Sequence, residues 1–152
     1  MIEILILYVL NRHDLTIYKL ERAIGELFFP FFKPSLGSIA PTLEKLSERG
    51  FVNYSEKFSQ GGLKSKTFSI TPTGLAYLKK SIVEYKFKGL NSTKKTADAL
   101  LFMKDILNDE EISALQNNVE TNLKIFKAEI ERTLSSPYIR LDENQREILK
   151  RQ

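Results

Sequence analysis

Pro34-Ser35-Leu36-Gly37-Ser38-Ile39-Ala40-Pro41-Thr42-Leu43-Glu44-Lys45-Leu46-Ser47-Glu48-Arg49-Gly50 is the most informative run of the 152-residue chain. Ile39, Leu43 and Leu46 recur at i, i+4 and i+7, so a helix through them has one apolar face. Ser35, Ser38, Thr42 and Lys45 recur at i, i+3, i+7 and i+10 on another face, which is small, polar and basic. Gly50 stops the helix where a left-handed residue is favoured.

Downstream, residues 51–59 and 66–71 read as two strands joined by the turn-forming Gln60-Gly61-Gly62, with Lys57, Lys64 and Lys66 near the tip. In the second strand Phe68 and Ile70 share a face, opposite Thr67, Ser69 and Thr71. A helix slim enough for a major groove, beside a basic hairpin, points to a winged helix-turn-helix, mainly α with a small β-wing.

Upstream, residues 2–10 are apolar on all sides apart from Glu3, as in a short helix buried between other elements. Asn11-Arg12-His13-Asp14 breaks it. Thr16 can cap a second helix over 16–27, whose face is Ile17, Leu20, Ile24 and Leu27. Phe28-Phe29-Pro30-Phe31-Phe32-Lys33-Pro34 then links to the central helix, because its prolines prevent simple extension. Thr71-Pro72 pairs a capping hydroxyl with proline at the first helical position, which predicts a fourth helix ending near Gly89.

Asn91-Ser92-Thr93 is the expected joint between a first domain over 1–90 and a helical second domain over 91–152. Helices are expected over 94–107, 110–134 and 143–151; Asn108 with Glu111, and Asp142 with Gln145, have capping-box spacing. In the long middle helix Ile112, Leu115, Val119, Leu123, Phe126, Ile130 and Leu134 form one unbroken stripe. So short a tail cannot easily cover that stripe by itself; either it folds back onto residues 1–90 or a second copy of the chain covers it, and a homodimer is the expectation.

Charge is distributed unevenly. Residues 1–90 carry 13 Lys and Arg against 8 Asp and Glu, while residues 91–152 carry 10 against 11. The positive excess lies with the helix and hairpin, as expected if that half meets phosphate and the other meets protein. With no cysteine and His13 as the sole histidine, the usual nucleophile–base pairs and transition-metal clusters cannot be assembled, so no catalytic residue, metal or cofactor is expected. The absence of cysteine fits a cytoplasmic protein, and the first ten residues, too short to span a bilayer and without a signal peptide's basic lead and cleavage site, read as a buried helix.

Leu15-Thr16-Ile17-Tyr18-Lys19-Leu20, Phe32-Lys33 before the Pro34–Leu43 run, Gly61-Gly62 and Ile70-Thr71-Pro72-Thr73-Gly74 together resemble the PadR family of transcriptional regulators over about residues 2–85. The resemblance implies a homodimeric repressor with an N-terminal winged helix and a C-terminal helical dimerisation region. It also implies release from double-stranded DNA by a small-molecule effector in some members. Three positions, one in the helix and two in the wing, depart from the family pattern. Ala40 stands where a tyrosine is usual, and Leu63 and Ser65 replace wing arginines, leaving Lys64 and Lys66 as point charges without Arg's bidentate fork.

Lys33, Ser35, Ser38, Thr42, Lys45, Lys64 and Lys66 are accordingly the candidate DNA contacts, since short hydroxyl side chains let a helix approach base edges and phosphates closely. Arg49 can grip phosphate or pair with Glu44 or Glu48. Phe28, Phe29, Phe31 and Phe32 are candidates either for an effector pocket or for core joining the two halves. The alternative function is a winged-helix module that binds protein partners and no DNA.

Overall fold

The computed structural model describes residues 1–58, 64–88, 93–138 and 141–151. Helix α1, Ile2–Leu10, is at its centre. Every side chain from Ile4 to Leu10 is buried, as a helix without a polar face requires, and α2 (Ile17–Leu27), α3 (Leu36–Glu48) and α4 (Pro72–Val83) all pack on it. The anticipated face of α3, Ile39, Leu43 and Leu46, is buried; in α2 Leu20 and Ile24 are buried, while Ile17 and Leu27 are only partly buried against the core.

Among the described residues the sheet has three strands, one more than the sequence predicts. β1 (Leu15–Thr16), β2 (Val52–Phe58) and β3 (Lys64–Ile70) run antiparallel in the order β1-β3-β2. Leu15 pairs with Phe68 and Thr16 with Thr67, so Leu15-Thr16 is a strand before α2 begins at Ile17. Thr16 holds the cap position of α2, but its hydroxyl makes no cap hydrogen bond. A two-residue strand carries no readable alternation, so nothing in its own sequence announces it. The expected turn at Gln60-Gly61-Gly62, with Leu63, lies outside the described residues.

Two sequence signals turn out to be one joint. Gly50 adopts φ 72°, and the N–H groups of Phe51 and Gly50 donate to Leu46 and Ser47 carbonyls at 2.9 and 3.0 Å, the paired bonds of a Schellman stop. The Thr71 hydroxyl accepts from the Gly74 N–H at 2.9 Å and donates to the Gly50 carbonyl at 2.8 Å, while the Thr71 N–H donates to the Phe51 carbonyl at 3.0 Å. The cap of α4 is therefore also what holds the end of α3. Gly74 sits so close that a Cβ there would lie 2.1 Å from the Phe51 carbonyl oxygen.

Helix α4 ends at Val83, short of the expected Gly89, which lies outside the described residues. The Asn118 amide explains the stop: it donates to the carbonyls of Val83 and Tyr85 at 2.9 and 3.1 Å, satisfying backbone that further helix would have paired. Beyond the expected joint, where Asn91 and Ser92 are also outside the described residues, come α5 (Thr93–Phe102), a 3-10 turn (Met103–Ile106), α6 (Asp109–Ser135) and α7 (Glu143–Lys150). The helix expected over 94–107 thus tightens after Phe102. Both capping boxes form, at Asn108/Glu111 and Asp142/Gln145.

Besides the Asn118 bonds, aromatic packing and a second polar cluster fasten the tail to the first half. Phe102 meets Phe28 edge-on at 5.7 Å between ring centroids and Tyr8 at 6.5 Å. The Tyr8 hydroxyl donates to Asp105 Oδ1 at 2.7 Å and accepts from Arg12 Nη2 at 2.7 Å, and Arg12 also pairs with Asp105. Burial, and then the hydrogen bond to Asp105, push the Tyr8 phenol up to about 12.

Candidate nucleic-acid interface

With Ile39, Leu43 and Leu46 buried, the opposite side of α3 faces solvent. Gly37, Ala40, Pro41, Glu44, Lys45 and Glu48 are its exposed residues, and they include only one of the four expected helix contacts, Lys45. Ser38 and Thr42 are half-buried on the flank, and exposed Ser35 stands at the N-cap. Their hydroxyl chemistry is more specific than their spacing suggests. Ser38 Oγ donates to the Ser35 carbonyl at 2.8 Å and Thr42 Oγ1 to the Ser38 carbonyl at 2.7 Å, so both protons are committed to the helix and the oxygens remain as acceptors. Ser35 makes no cap hydrogen bond with its side chain.

Lys33 and Lys45 are exposed, with no ion-pair partner among the described residues. The wing lysines are held differently. Lys64 Nζ lies 2.7 Å from Glu56 Oε2, and Lys66 Nζ sits 4.3 Å from the centre of the Tyr54 ring. Strand register explains this: Phe58 pairs with Lys64, Glu56 with Lys66 and Tyr54 with Phe68, so these side chains share one wing face. Alternation in the first strand already groups Tyr54, Glu56 and Phe58; what it cannot supply is the register against β3.

Arg49 neither pairs with Glu44 or Glu48 nor reaches outward for phosphate. Its guanidinium lies 4.6 Å from the ring centres of both Phe51 and Tyr77, which stack at 4.4 Å, and it pairs with Glu3 of α1 at 3.2 Å. Tyr77 donates to the same Glu3 carboxylate at 2.7 Å. Nothing local in the sequence joins positions 3, 49 and 77.

The apolar stripe of α6 divides. Leu115 and Val119 are buried in the protomer, where α4 and α5 pack on α6, and Ile112 and Leu123 rest against the same core. Phe126, Ile130 and Leu134 are half-exposed along a groove of about 410 Å³ that Leu149 of α7 helps to line. The phenylalanine run divides too: Phe28 is fully buried, Phe29 is 76% exposed, and Phe31 and Phe32 are partly buried at the core's edge. Consecutive residues of a turn point in different directions, so the four do not line a single cavity. Phe28 instead packs on Tyr8, at 5.8 Å between centroids.

A short three-stranded sheet, a buried first helix and an exposed helix next to the wing define a winged-helix protein. Residues 6–80 match the transcriptional regulator PadR-like family, and through this half the chain belongs to that family. The fold is similar to that of Bacillus subtilis PadR, solved in complex with operator DNA, at TM-score 0.53 and 17% identity over 98% of this chain and 86% of that one. It is equally similar to smu.1604c from Streptococcus mutans UA159, at TM-score 0.53 and 20% identity over 98% of this chain and 88% of that one. Comparison with curated proteins gives no match.

Proposed function

We propose that the chain is a homodimeric, sequence-specific DNA-binding transcriptional repressor. Residues 1–90 form its DNA-binding domain and residues 91–152 its dimerisation domain. The observation that carries this reading is α3: its apolar face is committed to the core, while its opposite face stands open beside Lys33, Lys45 and a lysine-bearing wing. Such a helix enters a major groove, and lysines at its margins and on the wing neutralise phosphates. The operator complex of Bacillus subtilis PadR supports the same assignment through shared fold. Phe126, Ile130 and Leu134, with Leu149, are the apolar surface a second copy covers, which sets two α3 helices for a two-fold symmetric site. A DNA-binding role places the chain in the cytoplasm. No helix among the described residues is long and apolar enough to cross a membrane. An effector that releases DNA can act by moving the seam of Tyr8, Phe28 and Phe102, which couples the two domains together with the packing of α4 on α6.

The test is a gel shift with the full chain on duplex from its own upstream region, titrated with salt. Binding tighter than to random duplex, weakening steeply as salt rises, supports the proposal; equal affinity for both duplexes at every salt concentration rejects it.

A further inference from the structure

Glu44 and Glu48 occupy an unexpected place. Both are exposed on the outward side of α3, and neither has an ion-pair or hydrogen-bond partner among the described residues. Like charges at i, i+4 repel, and carboxylates near a helix C-terminus oppose its dipole. Arg49, the neighbour that could relieve them, is turned to Glu3, Phe51 and Tyr77. A surface that meets phosphate is also the least favourable place for a carboxylate. Local rules broken without compensation inside the protomer mark a position whose partner lies outside it.

We infer that Glu44 reads a cytosine in the major groove by accepting a hydrogen bond from its exocyclic amino group, an inference that rests on the DNA-binding reading above. Glu44 lies on one exposed stripe with Gly37 and Pro41, at i, i+4 and i+7, and Ala40 lies beside them. Those residues are small, so this part of α3 can settle close to the groove floor and bring the Glu44 carboxylate to base edges. Glu48, one turn further along, closes the helix. The flank matches in chemistry, because Ser38 and Thr42 have given their protons to helix carbonyls and offer lone pairs only. An acceptor-rich helix selects donors. Cytosine shows only its amino donor in the major groove, whereas adenine sets an N7 acceptor beside its amino group, which a carboxylate avoids.

The experiment is selection of duplexes from a randomised pool by the full chain, as wild type, Glu44→Gln and Glu44→Ala, followed by gel shifts on the winning duplex and its single-base-pair variants. Residue 44 is exposed, and thermal melts verify that both variants are folded. Wild type should enrich one C·G pair per half-site, and exchanging that cytosine for thymine should weaken it about tenfold or more. Glu44→Ala should bind both duplexes alike, and Glu44→Gln should shift enrichment at that position towards adenine, which Gln contacts through N6 and N7. If wild type enriches a site and Glu44→Ala keeps every base preference while binding all duplexes more tightly, the carboxylate only repels phosphate and this inference falls while the DNA reading stands. If wild type enriches no duplex at all, the DNA reading fails and this inference with it.

Discussion

Single residues at the joint between α3 and α4 are where the fold is least tolerant. Gly74→Ala forces a methyl group against a backbone carbonyl that is itself bonded to Thr71, so we expect about 3 kcal/mol lost in chemical denaturation. Gly50→Ala must place alanine at φ 72° with nothing near its Cβ, which costs about 1 kcal/mol. A reversed order of the two losses would contradict the close approach at Gly74. Tyr8 gives a pH test. Folding raises its phenol from 10 to about 12, so the stability tied to the neutral form is complete below 10 and is lost as pH climbs towards 12. Denaturation midpoints should fall more steeply across that interval for the wild type than for Tyr8→Phe. Motif and role are legible at different depths here. Thr71 as a cap can be read from Thr71-Pro72, but its second bond to the Gly50 carbonyl joins residues 21 apart in the chain.

The wing is an element whose sequence overstates its free charge. Lys64 and Lys66 are each engaged on the wing face, by Glu56 and by the Tyr54 ring. Replacing both lysines with alanine should weaken every duplex to a similar degree. Each phosphate that thereby goes unneutralised should flatten the slope of log affinity against log salt by about 0.9. Glu56→Gln frees Lys64 and should strengthen binding to all duplexes at low salt, an effect that fades above the ionic strength where exposed charges are screened. Helix boundaries follow the same division between local and distant causes. Asn108 and Asp142 mark the starts of α6 and α7 because capping is local. The end of α4 is not legible, because the side chain that satisfies its last carbonyls belongs to Asn118, 35 residues away from Val83.

At the scale of the whole molecule, the two halves of the α6 stripe should behave differently. Leu115→Ala empties a fully buried site and should cost about 3 kcal/mol of protomer stability. Ile130→Glu, in the half-exposed part, should leave secondary structure intact and convert the proposed dimer to a monomer in size-exclusion chromatography with light scattering. A wild type that elutes as a monomer at every concentration would remove the dimer and the operator geometry that depends on it. The same variant should bind the operator more weakly than wild type by more than its loss at any one half-site, since two linked helices engage as one unit.

The sequence alone determined the periodic elements, the buried face of α3, the stop at Gly50 and the resemblance over the first half. Each is encoded by spacing within one turn, one strand or one cap, where neighbours in the chain are neighbours in space. Tertiary structure decided the third strand at Leu15-Thr16, the turning of Arg49 towards Glu3, the sharing of the α6 stripe between core and groove, and the exposure of Glu44 at the outermost line of α3. Those outcomes depend on which surfaces meet. A helix pattern tells which residues share a face, but only packing against α1 fixes which side of that helix is left to face a partner.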